Sequence, residues 1–225
     1  YGGVVNGTGR LTIAGAGTLT LSGANTFSGG TTITAGTLSV STDTNLGAVP
    51  GAVTASAITL NGGALMASSN FTLATNRGLQ LGANSGTVNV TAGSTLTYNG
   101  SINGTGSLTK AGTGGLILTG TNAYTGLSTI SAGELVFERD TPSLPSSTFT
   151  GPGTLVVRSA AGSFTSAYTF SANATSLGGL TLGRTGNTMA LTLSTGINLT
   201  GNLLVNGPSN LAAGITTGGS QTYTG

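Results

Sequence analysis

The chain has 225 residues, a formal net charge of +2 and only 4% charged residues. Glycine occupies 41 positions, and the sequence contains neither Cys nor His. This composition excludes disulfides, thiolate metal sites and catalytic triads built on His or Cys. Disordered chains usually combine high net charge with few branched apolar residues, so we expect this chain to fold.

The basic residues are spread singly along the sequence, which argues against a nucleic-acid partner. Binding to phosphates requires clustered Lys and Arg that displace counterions. No run of 18 apolar residues is present, as a transmembrane helix would need. Because the chain begins with Tyr1, we expect a processed or internal piece of a protein whose export signal lies outside it. The basic residues are Arg10, Arg77, Lys110, Arg139, Arg158 and Arg184.

From the N-terminus onward, short alternating strings predict strands. L-T-I at 11–13, L-T-L at 19–21, T-I at 32–33 and L-S-V at 38–40 place aliphatic residues on one face and Thr or Ser on the other. Gly and Asn lie between them and supply the positive φ of tight corners. These connections are too short for a helical crossover.

Two stretches interrupt the strand rhythm at equivalent places. Residues 41–56 contain Pro50, and residues 139–153 contain three further prolines. Proline cannot donate to a strand ladder, so we predict that both stretches are loop insertions leaving the body of the fold. They are the first places in which we would look for recognition of a partner.

An internal repeat relates residues 6–41 to residues 103–138, with 19 of 36 positions identical at a constant offset of 97. The apolar positions correspond in character, including Phe27 with Tyr124. One exception is Ile13, which corresponds to Lys110. We therefore expect that position to lie on the outside or at a corner.

Alternating strings continue to the C-terminus, and strands of like character recur about every twenty residues. This spacing predicts a single-stranded right-handed parallel β-helix with three faces and roughly eleven coils of about twenty residues, in one continuous segment 1–225. An antiparallel sandwich or an up-and-down barrel would need hairpins and longer strands.

In both repeat copies the string G-T-G-x-L-T-x-A-G-x-G-x-L-x-L-[ST]-G-x-N-x-[FY]-[ST]-G resembles the passenger-associated transport repeat, also called the autotransporter-associated β-strand repeat. The resemblance implies an exported β-helix at the bacterial cell surface, in the stalk or passenger of a type V secretion adhesin. It also implies a partner outside this chain, an outer-membrane β-barrel translocator. It supplies no catalytic residue.

The acidic cluster Glu134, Glu138 and Asp140 is the one candidate for polysaccharide hydrolysis. On one strand Glu134 and Glu138 would lie about 13 Å apart, too far for two carboxylates acting on one glycosidic bond. A calcium β-roll would need repeated Asp, and the chain has two, Asp43 and Asp140. We therefore predict no catalytic, cofactor-binding or metal-binding residue. Four aromatic residues are expected to stack inward, although they could line a sugar-binding face: Phe27, Phe71, Tyr98 and Tyr124.

The sequence thus favours a non-catalytic structural or adhesive stalk. The expected partners are flanking β-helix coils or copies of the chain stacked end to end, and a surface or glycan ligand is left open. Three alternatives stay open: a self-assembling filament or sheath subunit, a polysaccharide-acting enzyme, and an ice-binding solenoid. The last would require a flat, regular threonine face, beginning with Thr18, Thr20, Thr31, Thr32 and Thr34.

Overall fold

The computed structural model describes residues 1–142, 144–145 and 148–224. Within these residues 24 strands and one short 3₁₀ helix, Asp43–Leu46, follow one another. Every strand pairing among them is parallel. The predicted parallel β-helix is therefore confirmed, and hairpin architectures are not found in this part of the chain.

The strands form three faces, because the chain passes along each face once per coil before it moves up to the next coil. Some coils pass a face without forming a strand there, so the strands of face 1 fall into two sheets, of five and three strands. Face 1 contains Leu11–Ile13 (β1), Thr31–Ile33 (β3), Thr54–Leu60 (β5), Arg77–Leu81 (β8), Ile102–Gly104 (β11), Tyr168–Phe170 (β18), Leu191–Leu193 (β20) and Ser209–Leu211 (β22). Face 2 contains Thr18–Leu21 (β2), Thr37–Val40 (β4), Ala64–Ala67 (β6), Gly86–Val90 (β9), Leu108–Ala111 (β12), Ser128–Ile130 (β14), Thr148–Thr150 (β16) and Ile215–Thr217 (β23). Face 3 contains Phe71–Leu73 (β7), Thr95–Tyr98 (β10), Gly115–Leu118 (β13), Glu134–Glu138 (β15), Thr154–Arg158 (β17) and Gln221–Tyr223 (β24).

Two long strands turn the corner between faces 2 and 3 without a break. Asn173–Leu182 (β19) pairs with β16 through its first part and with β17 through its last. Ile197–Val205 (β21) stacks on β19 along both parts. Counting these strands, face 2 has ten strands, which corresponds to about ten coils. At about 4.8 Å between neighbouring strands, the rod is on the order of 50 Å long.

Coil length varies while register is kept. Leu11 pairs with Thr31 and Thr31 pairs with Ile58, which are separations of 20 and 27 residues. Extra residues are absorbed at corners and at a register shift in the pairing of β5 with β8, so the inward positions still meet. Register has to be regained in this way, because a slip of one residue would turn every inward side chain outward.

An unbroken column of leucines runs along the inside of face 3. Six leucines from successive coils pair with one another, and none is more than 2% exposed. Each stacks on its counterpart in the next coil, so apolar burial accumulates from contacts between neighbouring coils. The six are Leu96, Leu116, Leu135, Leu155, Leu180 and Leu203.

Glycine at the corner between faces 2 and 3 lets successive coils approach closely. Gly133 has φ +64°, and a Cβ there would collide with the carbonyl oxygen of Gly114 in the coil below. Gly115 differs, since it lies in β13 and its added Cβ would meet only the hydroxyl of Thr95 at 3.9 Å. The first glycine is required by the coil geometry and the second is not.

The two proline-containing stretches have distinct structures. Within 41–56, the 3₁₀ helix and residues up to 48 close the third side of a coil, where Thr44 and Ala48 exchange backbone hydrogen bonds with the preceding coil. Residues 49–53 form the exposed part, with Val49 and Val53 47% and 62% exposed. Within 139–153, residues 148–150 form β16, and positions 143, 146 and 147 lie outside the described residues.

We expect Gly133→Ala to lower the free energy of unfolding by more than about 1 kcal/mol, because an L side chain is strained at this φ and its Cβ meets backbone. Gly115→Ala is the matched control. It should be neutral or stabilising by about 0.5 kcal/mol, as expected for replacing glycine within a strand. Denaturant titration of both variants measures the difference, and equal losses would contradict the assignment of the corner.

Candidate functional site

The three acidic residues of the sequence cluster do not form a pair of opposed carboxylates. Glu134 is exposed on the outer side of β15. Glu138 accepts hydrogen bonds from Arg158 and Arg184. Asp140 accepts from the Ser159 hydroxyl at 2.8 Å and from two backbone amides, and these bonds hold the pKa of its carboxyl below the usual value. The carboxylates of Glu138 and Asp140 therefore connect neighbouring coils.

The structure brings together two basic residues that are separated by 26 positions in the sequence. Arg158 Nε and Arg184 Nη2 both donate to Glu138 Oε2, at 2.6 and 2.7 Å. Basic residues that are spread singly along the sequence therefore meet in space at this corner. Sequence spacing hides the cluster because successive coils place distant residues one above another. Both guanidinium groups are partly exposed, with side-chain exposures of 28% and 38%.

A second ion pair fastens the stretch 41–56 to the rod. Arg77 is 2% exposed, and its Nε donates to Asp43 Oδ1 at 2.9 Å. The same guanidinium donates to the carbonyl oxygens of Leu46 at 3.0 Å and Gly47 at 2.6 Å. Its charge is thus paired and its donors are used, as a buried guanidinium requires. This arginine acts as a clamp and is not free to bind a ligand.

Lys110 is buried, so the expectation that it lies outside or at a corner is wrong. It stacks between Val88 and Ile130 on the inner side of face 2, with no exposed surface. Its methylene chain fills the space that Ile13 fills in the first repeat copy. Its ammonium reaches the carbonyl oxygens of Ala111, Gly112 and Ala132 at 2.8–3.2 Å. A lysine in an apolar pattern points outward unless such acceptors lie within its reach.

The aromatic residues pack inward as predicted, so they do not form a sugar-binding platform on the surface. Phe27, Tyr98 and Tyr124 are at most 2% exposed. Phe71 is half-buried and packs against the core. The Tyr98 hydroxyl donates to the carbonyl oxygen of Arg77 at 2.7 Å, and burial raises the pKa of Tyr98 to about 12.

The asparagine of the repeated string is a buried link between coils, a role that sequence reasoning did not identify. Asn25 is 5% exposed; its Oδ1 accepts from Val5 N at 2.7 Å and its Nδ2 donates to Asn45 O at 2.6 Å. In the second copy Asn122 accepts from Ile102 N at 3.3 Å. The identity of the two asparagines at the offset of 97 was the signal that could have revealed this.

The aromatic position of the repeat is Tyr124 in the second copy and Phe27 in the first, and the tyrosine hydroxyl changes the hydrogen bonding in the core. The Tyr124 hydroxyl lies 2.7 Å from Ser128 Oγ, and both residues are fully buried. In the first copy the corresponding residues are Phe27 and Thr31. Thr31 Oγ1 is buried without a hydrogen-bond partner, because Phe27 has no hydroxyl to offer.

The two repeat copies lie on different faces. β1 and β12 occupy equivalent positions in the repeat, yet β1 belongs to face 1 and β12 to face 2. Likewise β2 is on face 2 and its equivalent β13 is on face 3. The offset of 97 residues therefore corresponds to four coils plus one face. Equivalent outward residues of the two copies point in different directions around the rod.

A regular row of threonines runs along the outer side of face 2. Its neighbouring outward row is mixed, with Met66, Asn89 and Ala111 among its members. The flat array of paired threonine rows that ice binding would require is not formed on this face within the described residues. Pairing joins Thr87, Thr109, Thr129, Thr150 and Thr175.

In the part of the chain that the structure describes, no group of three or more acidic side chains is arranged to hold a metal ion. No helix in the same residues has both the length and the hydrophobicity to cross a membrane.

Comparison with known proteins identifies the repeat. The family described as passenger-associated-transport-repeat matches residues 11–40 and 108–137, which lie within the two copies. The resemblance inferred from the repeated string is thus confirmed.

A curated relative is the adhesin BmaC autotransporter of Brucella suis biovar 1 (strain 1330), which is 42% identical over 114 residues. The match covers 47% of this chain and 3% of that protein, so the chain spans a small part of its length. No solved structure matches the chain.

Exchanging the aromatic residues tests the buried hydroxyl pair. Tyr124→Phe leaves Ser128 Oγ buried without a partner and should cost about 1–2 kcal/mol of unfolding free energy. Phe27→Tyr offers a partner to Thr31 and should be neutral or stabilising by up to about 1 kcal/mol. Chemical denaturation measures both changes, and a loss on Phe27→Tyr equal to that on Tyr124→Phe would refute the pairing.

Lys110 predicts an unusual dependence of stability on pH. Burial lowers its pKa from the usual 10.5 to about 8, opposed in part by the charge of Glu134. Between these values the unfolded chain binds a proton that the folded chain has lost, so stability should rise with pH from about 8. Above about pH 10 stability should fall, because burial raises the pKa of Tyr98, Tyr124 and Tyr168 and the unfolded tyrosines ionise first.

Lys110→Met provides the control for that profile. The variant should lose the rise above about pH 8 and keep the fall above about pH 10, whatever its absolute stability. Urea denaturation at several pH values gives both slopes. A rise that persists in Lys110→Met would assign the effect to another group.

Proposed function

Because the chain carries two passenger-associated-transport repeats on a parallel β-helix, we propose that it is a stalk segment of an autotransporter-type surface protein. Its role is structural and adhesive, and non-catalytic. The rod holds the protein's other parts away from the outer membrane. Its location is extracellular, at the bacterial surface. The observation that carries the proposal is the position of the repeat's identical residues, most of which lie in the interior and at the corners of the coils in the second copy.

Most exposed residues differ between the repeat copies, whereas eight of the thirteen buried residues of the second copy are identical to their counterparts. In the second copy eight residues are exposed, and seven of them differ from their counterparts in the first copy. Leu108, Leu116 and Leu118 are buried and identical to their counterparts. A surface read by a partner would show the reverse distribution. The repeat therefore serves to form a coil, and its outer surface is free to vary.

The rotation of the copies supports the same conclusion. The two copies point in different directions, separated by one face of the rod. A partner that recognised the repeated string would have to bind two differently oriented sites. A coil-forming role has no such requirement, since each coil needs only its neighbours.

The stability of such a rod suits export through a narrow pore. Stacked leucines and parallel hydrogen bonds form coil by coil, so folding can proceed from the first coils to emerge. The sequence contains no Cys, so no disulfide is needed to complete the fold. Only 4% of the residues are charged, which leaves little to hinder an unfolded chain in transit.

The terminal strands favour continuation of the rod by further coils, or end-to-end stacking of copies in a filament. In the described residues β22 and β24 pair on one side only. Apolar residues at the two ends are exposed, including Tyr1 at 64% and Leu211 at 45%. An unpaired edge of this kind can accept another parallel strand. The expected partners are therefore flanking coils or copies of this chain.

Surface display of the full-length protein tests the proposal. Cells producing it should expose this segment to added protease, and electron microscopy should show whether the segment lies within a longer rod or a polymer. Protein confined to the cytoplasm or periplasm would contradict the assignment.

The coil-forming role is tested by Asn25→Ala, which leaves the Val5 amide and the Asn45 carbonyl buried without their partner. We expect it to cost about 1–3 kcal/mol of unfolding free energy and to reduce the amount of protein displayed. Thr26→Ala is the control, because Thr26 is exposed and the second copy has alanine there. Equal display of the two variants would argue against the repeat as a coil-forming element.

A further inference from the structure

We propose that the outer side of face 3 binds an acidic oligosaccharide across three successive coils, with its sugar ring in a glycine-floored groove and its anionic group at Arg158 and Arg184. The proposal goes beyond the stalk role and does not depend on it, since a rod can be displayed without binding a glycan. Neither the sequence pattern nor the relatives assign a ligand to this face.

The groove is a break in the outward rows of side chains on face 3. Thr154, Gly179 and Asn202 lie in one outward row, and Gly179 contributes no side chain to it. The resulting groove has a volume of about 250 Å³ and is also lined by Thr181 and Leu204 from the neighbouring row. A glycine within a strand often marks a close approach of a ligand or another chain. The volume is sufficient for one sugar ring.

The polar atoms of the groove have unused hydrogen-bonding capacity. Among the described residues, no hydrogen bond involves the hydroxyl of Thr154 or that of Thr181. Asn202 Oδ1 accepts from Ser220 N at 2.9 Å, and its Nδ2 donates no hydrogen bond within the described residues. Two hydroxyls and an amide beside one leucine are the mixture that a sugar requires, with polar partners for its hydroxyls and an apolar contact for its ring.

The positive charge lies at the end of the same face. Arg158 is two residues beyond Val156, which is in the row of Thr181, and Arg184 follows β19 in the next coil. Both share the carboxylate of Glu138. Two guanidinium groups against one carboxylate leave one positive charge without a partner in this cluster. Each guanidinium has five N–H donors, so most remain available to an anion.

The distance between the groove and the guanidinium groups favours an acidic oligosaccharide as the ligand. Along the strand, the row of Arg158 lies two residues from the near wall of the groove at Thr181 and four residues from its floor at Gly179, or about 7 and 13 Å. The span matches neighbouring units of a sugar chain, with a carboxylate or sulfate carried one or two units beyond the one in the groove. An acidic peptide fits less well, because the groove lies in the middle of a sheet where no strand edge is free to pair with a peptide backbone.

Titration of the purified chain with trigalacturonate tests the proposal, followed by NMR chemical shifts or calorimetry at low salt. A heparin-derived tetrasaccharide carries sulfate in place of carboxylate, and comparison of the two identifies the preferred group. Fully methyl-esterified trigalacturonate has the same backbone without charge and should bind at least tenfold more weakly. Binding should weaken further as salt is raised, because the guanidinium groups are partly exposed.

Two variants should each reduce affinity at least tenfold. Gly179→Thr fills the groove; the added Cβ would meet Thr154 Oγ1 at 3.2 Å, a contact that a small side-chain movement relieves. Arg184→Gln removes the more exposed guanidinium. The controls are Gly115→Thr, in the same outward row three coils earlier and without close contacts, and Arg10→Gln, which removes an equal charge from face 1. Both controls should bind as the unmodified chain does.

Three results would overturn the proposal. The first is the absence of binding by both acidic oligosaccharides. The second is an equal loss of affinity in the controls and the two test variants, which would indicate non-specific attraction to charge. The third is tighter binding of a tetraglutamate peptide than of either oligosaccharide. Unchanged thermal melting of the variants ensures that a loss of binding is not a loss of fold, and surface display is measured separately from all of these outcomes.

Discussion

Register between coils is the constraint on which the rest of this structure depends. Parallel backbone hydrogen bonds hold each strand over its predecessor, and the leucine column on face 3 exists only because that register is kept over six coils. Variation in coil length is absorbed at corners, where glycine permits close backbone contact, and at a register shift within β5. Apolar burial and backbone pairing therefore favour the same alignment, and each coil provides the template for the next.

The division between interior and surface explains how the coils can keep the same backbone fold while their outward side chains vary. Inward positions accept aliphatic residues, a buried asparagine and, at Lys110, an ammonium satisfied by three carbonyl oxygens. Most outward side chains do not pack in the core, so their identity is less restricted. The cluster of Glu138, Arg158 and Arg184 and the groove at Gly179 lie on such outward positions. Function can change there without disturbing the stack beneath.

The sequence was sufficient to predict the parallel β-helix, its three faces and the inward aromatic residues, because strand alternation and a coil-length spacing are local patterns. Contacts between coils were not predictable in the same way. Arg158 and Arg184 meet on Glu138 only because corner lengths bring them into adjacent coils, and those lengths vary from coil to coil. The position of Lys110 was predicted wrongly because its hydrogen-bond acceptors are backbone carbonyl oxygens, and no residue type in the sequence indicates where these lie. The groove at Gly179 depends on a missing side chain between two coils, and one glycine among 41 carries no distinguishing signal.

The offset of four coils plus one face has a consequence for how such rods lengthen. Duplication of a whole 97-residue unit winds the repeated string around the axis like a screw thread, and a fourth copy would be the first to return to the starting face. Identical segments are thereby kept out of line with one another along any one side. Two such rods lying side by side would then present no long stripe of identical residues to each other. The offset of one face beyond four whole coils therefore allows the rod to lengthen by duplication and also keeps identical segments of neighbouring rods from aligning.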